Sequence, residues 1–171
     1  MMVRSTLAAA LTALTMTATA SAQALYSPPE ADFAVAFPGP PKVEVTPAKR
    51  SHDITFRRYV DQEADRAFVV SIDEYPDNSL PQLVDAGVYD HLLRDRAGDD
   101  PTRLVSTRPA RLAGRPCLEG TFRRPNEVVE VVRVLMIGDK IYQLIYAHEE
   151  GADKPDAAAS FFSSFKITPG S

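Results

Sequence analysis

The sequence predicts an α+β fold: an antiparallel sheet of about seven or eight strands packed with two main helices in a layered α/β/α sandwich. Three observations lead there. Strand-like apolar runs dominate both halves of the chain, two segments carry helical rather than alternating periodicity, and short polar breaks separate most neighbouring runs, as antiparallel connections require.

The 171 residues are 44% hydrophobic and 25% charged, the balance of a folded globular chain rather than a collagen or a disordered polymer. That length predicts one domain over 23–171 behind a targeting segment at 1–22. Arg4 is a minimal basic start, 7–16 is a short apolar run diluted by threonine, and Ala20-Ser21-Ala22 and Ala22-Gln23-Ala24 both fit small-residue cleavage. The expectation is a secretory signal peptide cut near Ala22 or Ala24 and a periplasmic or secreted product. A membrane anchor needs about 20 predominantly apolar residues, so no transmembrane segment is expected in the mature chain. The single cysteine, Cys117, lies too far downstream for lipidation at the cleavage site.

Without Arg4 the chain has 18 basic against 23 acidic residues, a net charge near −5. That balance argues against a reader of the phosphate backbone, and no nucleic-acid partner is expected. One cysteine also predicts no internal disulfide. Cys117 follows Pro116 in a strand-like run and reads as a buried, inert thiol.

The elements follow in order. Pro28, Pro29, Pro38, Pro40, Pro41 and Pro47 predict an extended, peripheral start. Within it, Phe33, Val35 and Phe37 alternate with Ala34 and Ala36 as a short strand ended by Pro38-Gly39-Pro40, and a second strand follows at 43–46. Runs at 53–60 and 67–75 predict a hairpin connected through 61–65. In the second run Phe68, Val70 and Ile72 share one face, predicted buried, while Val69, Ser71 and Asp73 share the other, predicted only partly so.

A helix is predicted from Ser79, where Ser79 and Gln82 match an S-x-x-Q capping box, to a stop at Gly98. Leu80, Leu83, Val84, Gly87, Val88, His91 and Leu92 supply the stripe toward the core, leaving Asp85, Asp90, Arg94 and Arg96 mostly outside it. Four strands are predicted next, at 103–112, 116–123, 128–137 and 141–148. The last two flank Gly138-Asp139-Lys140 and are apolar on both faces, the signature of a strand covered on both sides. A closing helix at 155–165 gathers Ala158, Phe161, Phe162 and Phe165 on one face, with an exposed tail beyond.

Two regions carry a resemblance. Asp32-Phe33-Ala34-Val35-Ala36-Phe37-Pro38-Gly39-Pro40-Pro41, and Gly138-Asp139-Lys140-Ile141-Tyr142-Gln143-Leu144 leading to Phe161-Phe162-Ser163-Ser164-Phe165-Lys166, resemble the PsbP-like family. That family includes the extrinsic lumenal subunit of photosystem II and many secreted bacterial proteins. The resemblance implies an antiparallel sheet between helices, and it brings no catalytic motif to these positions.

The residues that carry chemistry are dispersed. His91 falls on the predicted apolar stripe and reads as a core or boundary histidine. His148-Glu149-Glu150 reads as a solvated loop, since it lacks the H-E-x-x-H spacing that puts two imidazoles on one metal, and His52 beside Asp53 is weaker still. There is no G-x-S-x-G elbow, no G-x-G-x-x-G and no P-loop, while Ser163-Ser164 fall at a helix end. No catalytic, cofactor-binding or metal-ligating set is therefore predicted, and no cofactor.

One recurrence stands out. Thr55-Phe56-Arg57-Arg58 and Thr121-Phe122-Arg123-Arg124 are identical tetrapeptides in two predicted strands. Were those strands neighbours, Arg57 or Arg58 with Arg123 or Arg124, joined by Arg133, would form an anion or partner contact. Solvated strand arginines paired with acids are the alternative.

The function read from the sequence is a non-enzymatic, exported binding or accessory domain that contacts another envelope or periplasmic protein. The contact would use a sheet face or the proline-rich edge. An alternative is a small-molecule or lipid carrier, with Phe161, Phe162, Phe165 and the two-sided hairpin lining an apolar cavity between sheet and helices. A third reading is a hydrolase or metal enzyme assembled from dispersed Tyr, His, Asp and Glu side chains.

Overall fold

Antiparallel neighbours in sequence order make two meanders that meet side by side. The computed structural model describes residues 24–50, 53–77, 79–80, 86–100 and 103–168. The first meander is β2 (Lys42–Thr46), β3 (Thr55–Gln62) and β4 (Arg66–Glu74); the second is β5 (Leu104–Leu112), β6 (Arg115–Arg124), β7 (Val128–Ile137) and β8 (Lys140–Glu149). Their junction is the antiparallel pair β4 and β8, giving one sheet in the order β2-β3-β4-β8-β7-β6-β5. Helix α1 (Ala86–Ala97) lies between the meanders in sequence, and α2 (Pro155–Ser164) follows β8. A small second sheet joins the two ends of the described chain, β1 (Phe33–Ala34) against β9 (Lys166–Ile167).

Alternation along the central strands sends apolar side chains to both faces. On one face Tyr142, Leu144 and Tyr146 of β8 meet Phe161, Phe162 and Phe165 from α2 and its end, with Phe33, Val35 and Phe37 from the N-terminal segment. On the other, Ile141 and Ile145 of β8 with Val132, Val134 and Met136 of β7 meet Tyr89, Leu93 and Ala97 of α1. These are the layers of an α/β/α arrangement. The turn between β5 and β6 is Ala113-Gly114, both at positive φ (50° and 74°), the backbone a tight two-residue hairpin needs.

The structure corrects several expectations. Residues 33–37 are extended but not peripheral: the strand is only two residues long, and all five side chains are buried, because the segment runs across the α2 side of the sheet. Gly39, in the proline turn that follows, is pinned by its N–H donating to the Asp61 carboxylate at 2.6 Å. Asp61 and Gln62 belong to β3 rather than to the connection, since the Glu63 N–H bonds the Arg66 carbonyl at 2.8 Å and closes the turn sooner. Val69 and Ser71 are buried like Phe68, Val70 and Ile72, because β4 is an interior strand with cover on both sides. The tail expected after Phe165 instead begins with β9, held by the short pairing with β1.

Helix α1 presents a different face from the one predicted. Tyr89, Leu93 and Ala97 are buried, Arg96 is largely covered beside them, and Gly87 and His91 are exposed. The stripe is rotated by about one residue, roughly 100° around the axis. The proposed capping residue Gln82, the stripe residues Leu83 and Val84, and Asp85 lie outside the described residues, as do His52 and the predicted signal segment 1–22.

Candidate functional site

The two identical tetrapeptides are not neighbours. β3 and β6 are separated by β4, β8 and β7, about 19 Å at the usual strand spacing. Arg57 is bonded to Glu74 at 2.5 Å, Arg123 lies 3.3 Å from Glu150, and Arg124 donates to Glu130 at 3.0 Å. Arg58 is an exposed side chain on the α1 side of β3, close enough to influence Asp73 and Arg96.

On that α1 side a polar chain crosses four strands. Arg96 donates to Gln143 of β8 at 3.0 Å and to Glu130 of β7 at 3.1 Å. Arg124 of β6 reaches the same Glu130 oxygen, and Gln143 donates to Asp73 of β4 at 3.1 Å. Both guanidinium groups lie over the Phe122 ring, that of Arg124 at 5.0 Å and that of Arg96 at 5.9 Å. Burial raises the Asp73 carboxyl above its usual range despite the bonds from Gln143 and Ser71. Burial lowers Arg96, against the pull of Glu130, and its Nε has no hydrogen-bond partner among the described residues. The chain ties α1 to the sheet across both meanders.

Arg133 is on the opposite face. Its Nε donates to Glu119 at 2.8 Å, one of its terminal nitrogens donates to the Arg111 carbonyl at 3.1 Å, and its guanidinium stacks 4.4 Å from the Phe162 ring. Glu119, only 3% exposed, also accepts from Arg108. Arg133 forms one wall of an open cleft of about 730 Å³ between the β5–β6 turn and the end of α2, lined also by Arg111, Arg115, Phe162, Phe165 and Lys166. Sequence reasoning missed Arg111, Arg115 and Lys166, because hairpin tip and C-terminal strand meet only in the folded chain. Arg96 carried a signal: it follows Tyr89 and Leu93 at helical spacing.

A third feature is the outer side of β2. It is the edge of the large sheet and all five of its residues are exposed. Val43 and Val45 lie on the α2 side of this edge, opposite Tyr59 and Arg57, at 40% and 51% exposure; Phe56 of β3, at 41%, lies on the other face. Lys42 and Glu44 pair with each other at 3.3 Å.

The histidines are placed differently from expectation. His91 is exposed and 3.4 Å from Asp95, one helical turn on. His148 is not in a solvated loop: it is buried in β8, stacked on Tyr146, with its Nδ1 2.8 Å from the Glu149 carbonyl oxygen. Among the described residues no group of three or more His, Cys, Asp or Glu side chains is placed to hold a metal ion. Cys117 is buried, and burial pushes its thiol up to about 11. Ser163 and Ser164 are at the end of α2, bonded to the carbonyls of Ser160 and Phe161.

The aromatic face of α2 fills the space beneath it. Phe161 lies 5.5 Å from Phe37 and 5.4 Å from Phe68, and Phe165 lies 5.9 Å from both Phe33 and Tyr142. Among the described residues no helix is long and apolar enough to cross a membrane. Compared with models of protein families and with curated proteins, the chain matches none.

Proposed function

We propose that this chain is an exported, non-enzymatic accessory domain that binds an extended segment of another envelope or periplasmic protein along β2. The observation that carries the reading is the outer side of β2, which pairs with no strand among the described residues, with Val43 and Val45 exposed on one face and Lys42 and Glu44 on the other. An unpaired edge offers a row of backbone donors and acceptors that an added strand satisfies, and alternate side-chain positions supply selectivity. Pro41 and Pro47 bracket the five residues and restrict the pairing to them. A two-fold antiparallel pairing of β2 with a second copy, centred on its middle residue, would set Glu44 opposite Glu44, and directly opposed like charges are unfavourable. A different chain fits better.

The net charge near −5 and the segment 1–22 support an exported protein with a protein partner rather than a nucleic-acid one. The resemblance to the PsbP-like family points the same way. The test is covalent capture from the periplasmic fraction with wild-type protein, Val45→Lys on this edge and Val105→Lys on the opposite edge strand β5, each at an exposed position. The reading predicts one crosslinked species of fixed mass, lost in Val45→Lys and kept in Val105→Lys. A species indifferent to Val45→Lys overturns it, as does a species that is a homodimer.

A further inference from the structure

The cleft between the β5–β6 turn and the end of α2 runs against the charge of the whole molecule. Its lining holds Arg111, Arg115, Arg133 and Lys166, beside Ala113, Phe162, Phe165 and Ile167, in a protein of net negative charge. The carboxylate that touches this set, Glu119, sits beneath Arg133 and is shared with Arg108, so it neutralises only part of it. The C-terminal end of α2 also faces this region and attracts cations, but a helix end is worth only about half an elementary charge. Unlike Arg133, Arg115 and Lys166 are exposed and make no ion pair among the described residues.

We propose that this cleft is a binding site for a phosphate-type oxyanion, held by Arg115 and Lys166 together with the fixed guanidinium of Arg133. Arg133 is positioned in advance: Glu119, the Arg111 carbonyl and the Phe162 ring fix its plane, so little side-chain freedom is lost when an anion arrives. Three cationic groups from β6, β7 and β9 match a tetrahedral anion better than a planar carboxylate, which has only two oxygens to share among them. At about 730 Å³ the cleft has room for a phosphoryl group with part of the body that carries it. Phosphate chemistry reaches an exported protein either as a soluble phosphoester or as a lipid headgroup. The site does not depend on the β2 edge, which lies at the other side of the sheet.

The experiment titrates the full mature chain with inorganic pyrophosphate and, separately, with vesicles of phosphatidylglycerol in phosphatidylcholine, following backbone amide shifts and sedimentation. The expected result is saturable pyrophosphate binding that shifts the amides of Ala113, Gly114, Arg115, Lys166 and Ile167, weakens steeply with added salt, and falls at least tenfold in Arg115→Glu/Lys166→Glu. Arg123→Glu, an exposed site near the far end of β6, carries the same change in charge as Arg115→Glu alone and controls for it; it should bind within about twofold of the wild type, whereas Arg115→Glu should not. Vesicle binding lost in the same double variant assigns the headgroup source, whereas pyrophosphate binding alone assigns the soluble one. Absence of saturable shifts in the wild-type protein overturns the proposal without recourse to any variant. Equal losses in Arg123→Glu and Arg115→Glu overturn it too, by showing diffuse attraction.

Discussion

Asp32 and Tyr142, 110 residues apart in sequence, meet in a 2.7 Å hydrogen bond from the tyrosine hydroxyl to the carboxylate. Lys140 donates to the other carboxylate oxygen at 2.9 Å, and the Asp32 carbonyl accepts from the Thr168 N–H at 2.9 Å. One residue thus ties the N-terminal segment to the central strand β8 and to the chain end beyond β9. Burial pushes the Asp32 carboxyl up, but the bonds from Lys140 and Tyr142 outweigh it and leave the group below its ordinary value of 3.8.

The sign of the pH effect follows. A carboxylate depressed in the folded state contributes stability that is present above about pH 4 and lost as pH falls through its folded value. Urea unfolding between pH 2.5 and 7 should show a steeper acid loss in wild type than in Asp32→Asn. Tyr142→Phe should cost about 1–3 kcal/mol at pH 7, the worth of a hydrogen bond to a charged group. A parallel pH profile for Asp32→Asn would remove this clamp from the account.

The α1 side of the sheet is packed tightly at Gly120. A Cβ there would meet Leu93 at 3.0 and 3.1 Å and Phe122 at 3.1 Å. Gly120→Ala should therefore cost about 1–3 kcal/mol by overpacking, and Leu93→Ala about 2–5 kcal/mol by leaving a cavity. Together they should cost less than the sum, because each relieves the other, and thermal unfolding of the four proteins in this cycle gives the coupling.

Glu119 separates its two arginine partners by burial. Arg133 is mostly covered, whereas the Arg108 side chain is 72% exposed. Arg108→Ala should cost no more than about 1 kcal/mol, as exposed ion pairs do. Arg133→Met leaves the buried carboxylate with only the exposed partner and should cost about 3 kcal/mol or more. Equal costs in chemical denaturation would show that burial does not set the strength of this pair.

Cys117 should behave as an inert thiol. Raised to about 11 and buried, it should resist an aromatic disulfide reagent at pH 8 in the folded protein and react fully in denaturant. Rapid reaction in the native protein would place the thiol at the surface.

What the sequence made legible is local. Runs of apolar, β-branched and aromatic residues between polar breaks located seven strands of the large sheet to within two residues at each end, because each run is set by its own side chains. The closing helix was legible for the same reason, its Phe161, Phe162 and Phe165 being close enough to mark one face. The α1 face was misread because Val88 and Leu92 are apolar but only partly covered, whereas the decisive Tyr89 and Leu93 fit the stripe one residue on. The buried state of His148 and Asp61 depends on partners brought by other segments, such as the Tyr146 ring and the Gly39 amide. The basic cleft was invisible for that reason as well: Arg115 and Lys166 are 51 positions apart and become neighbours only when α2 packs on the sheet.

A partner strand added to β2 must shield the backbone of that strand, and hydrogen exchange of the captured complex reads this shielding residue by residue. Backbone amides within 42–46 should gain strong protection on binding while those of β5 do not change. Protection confined to other elements, with 42–46 exchanging as in the free protein, would contradict it.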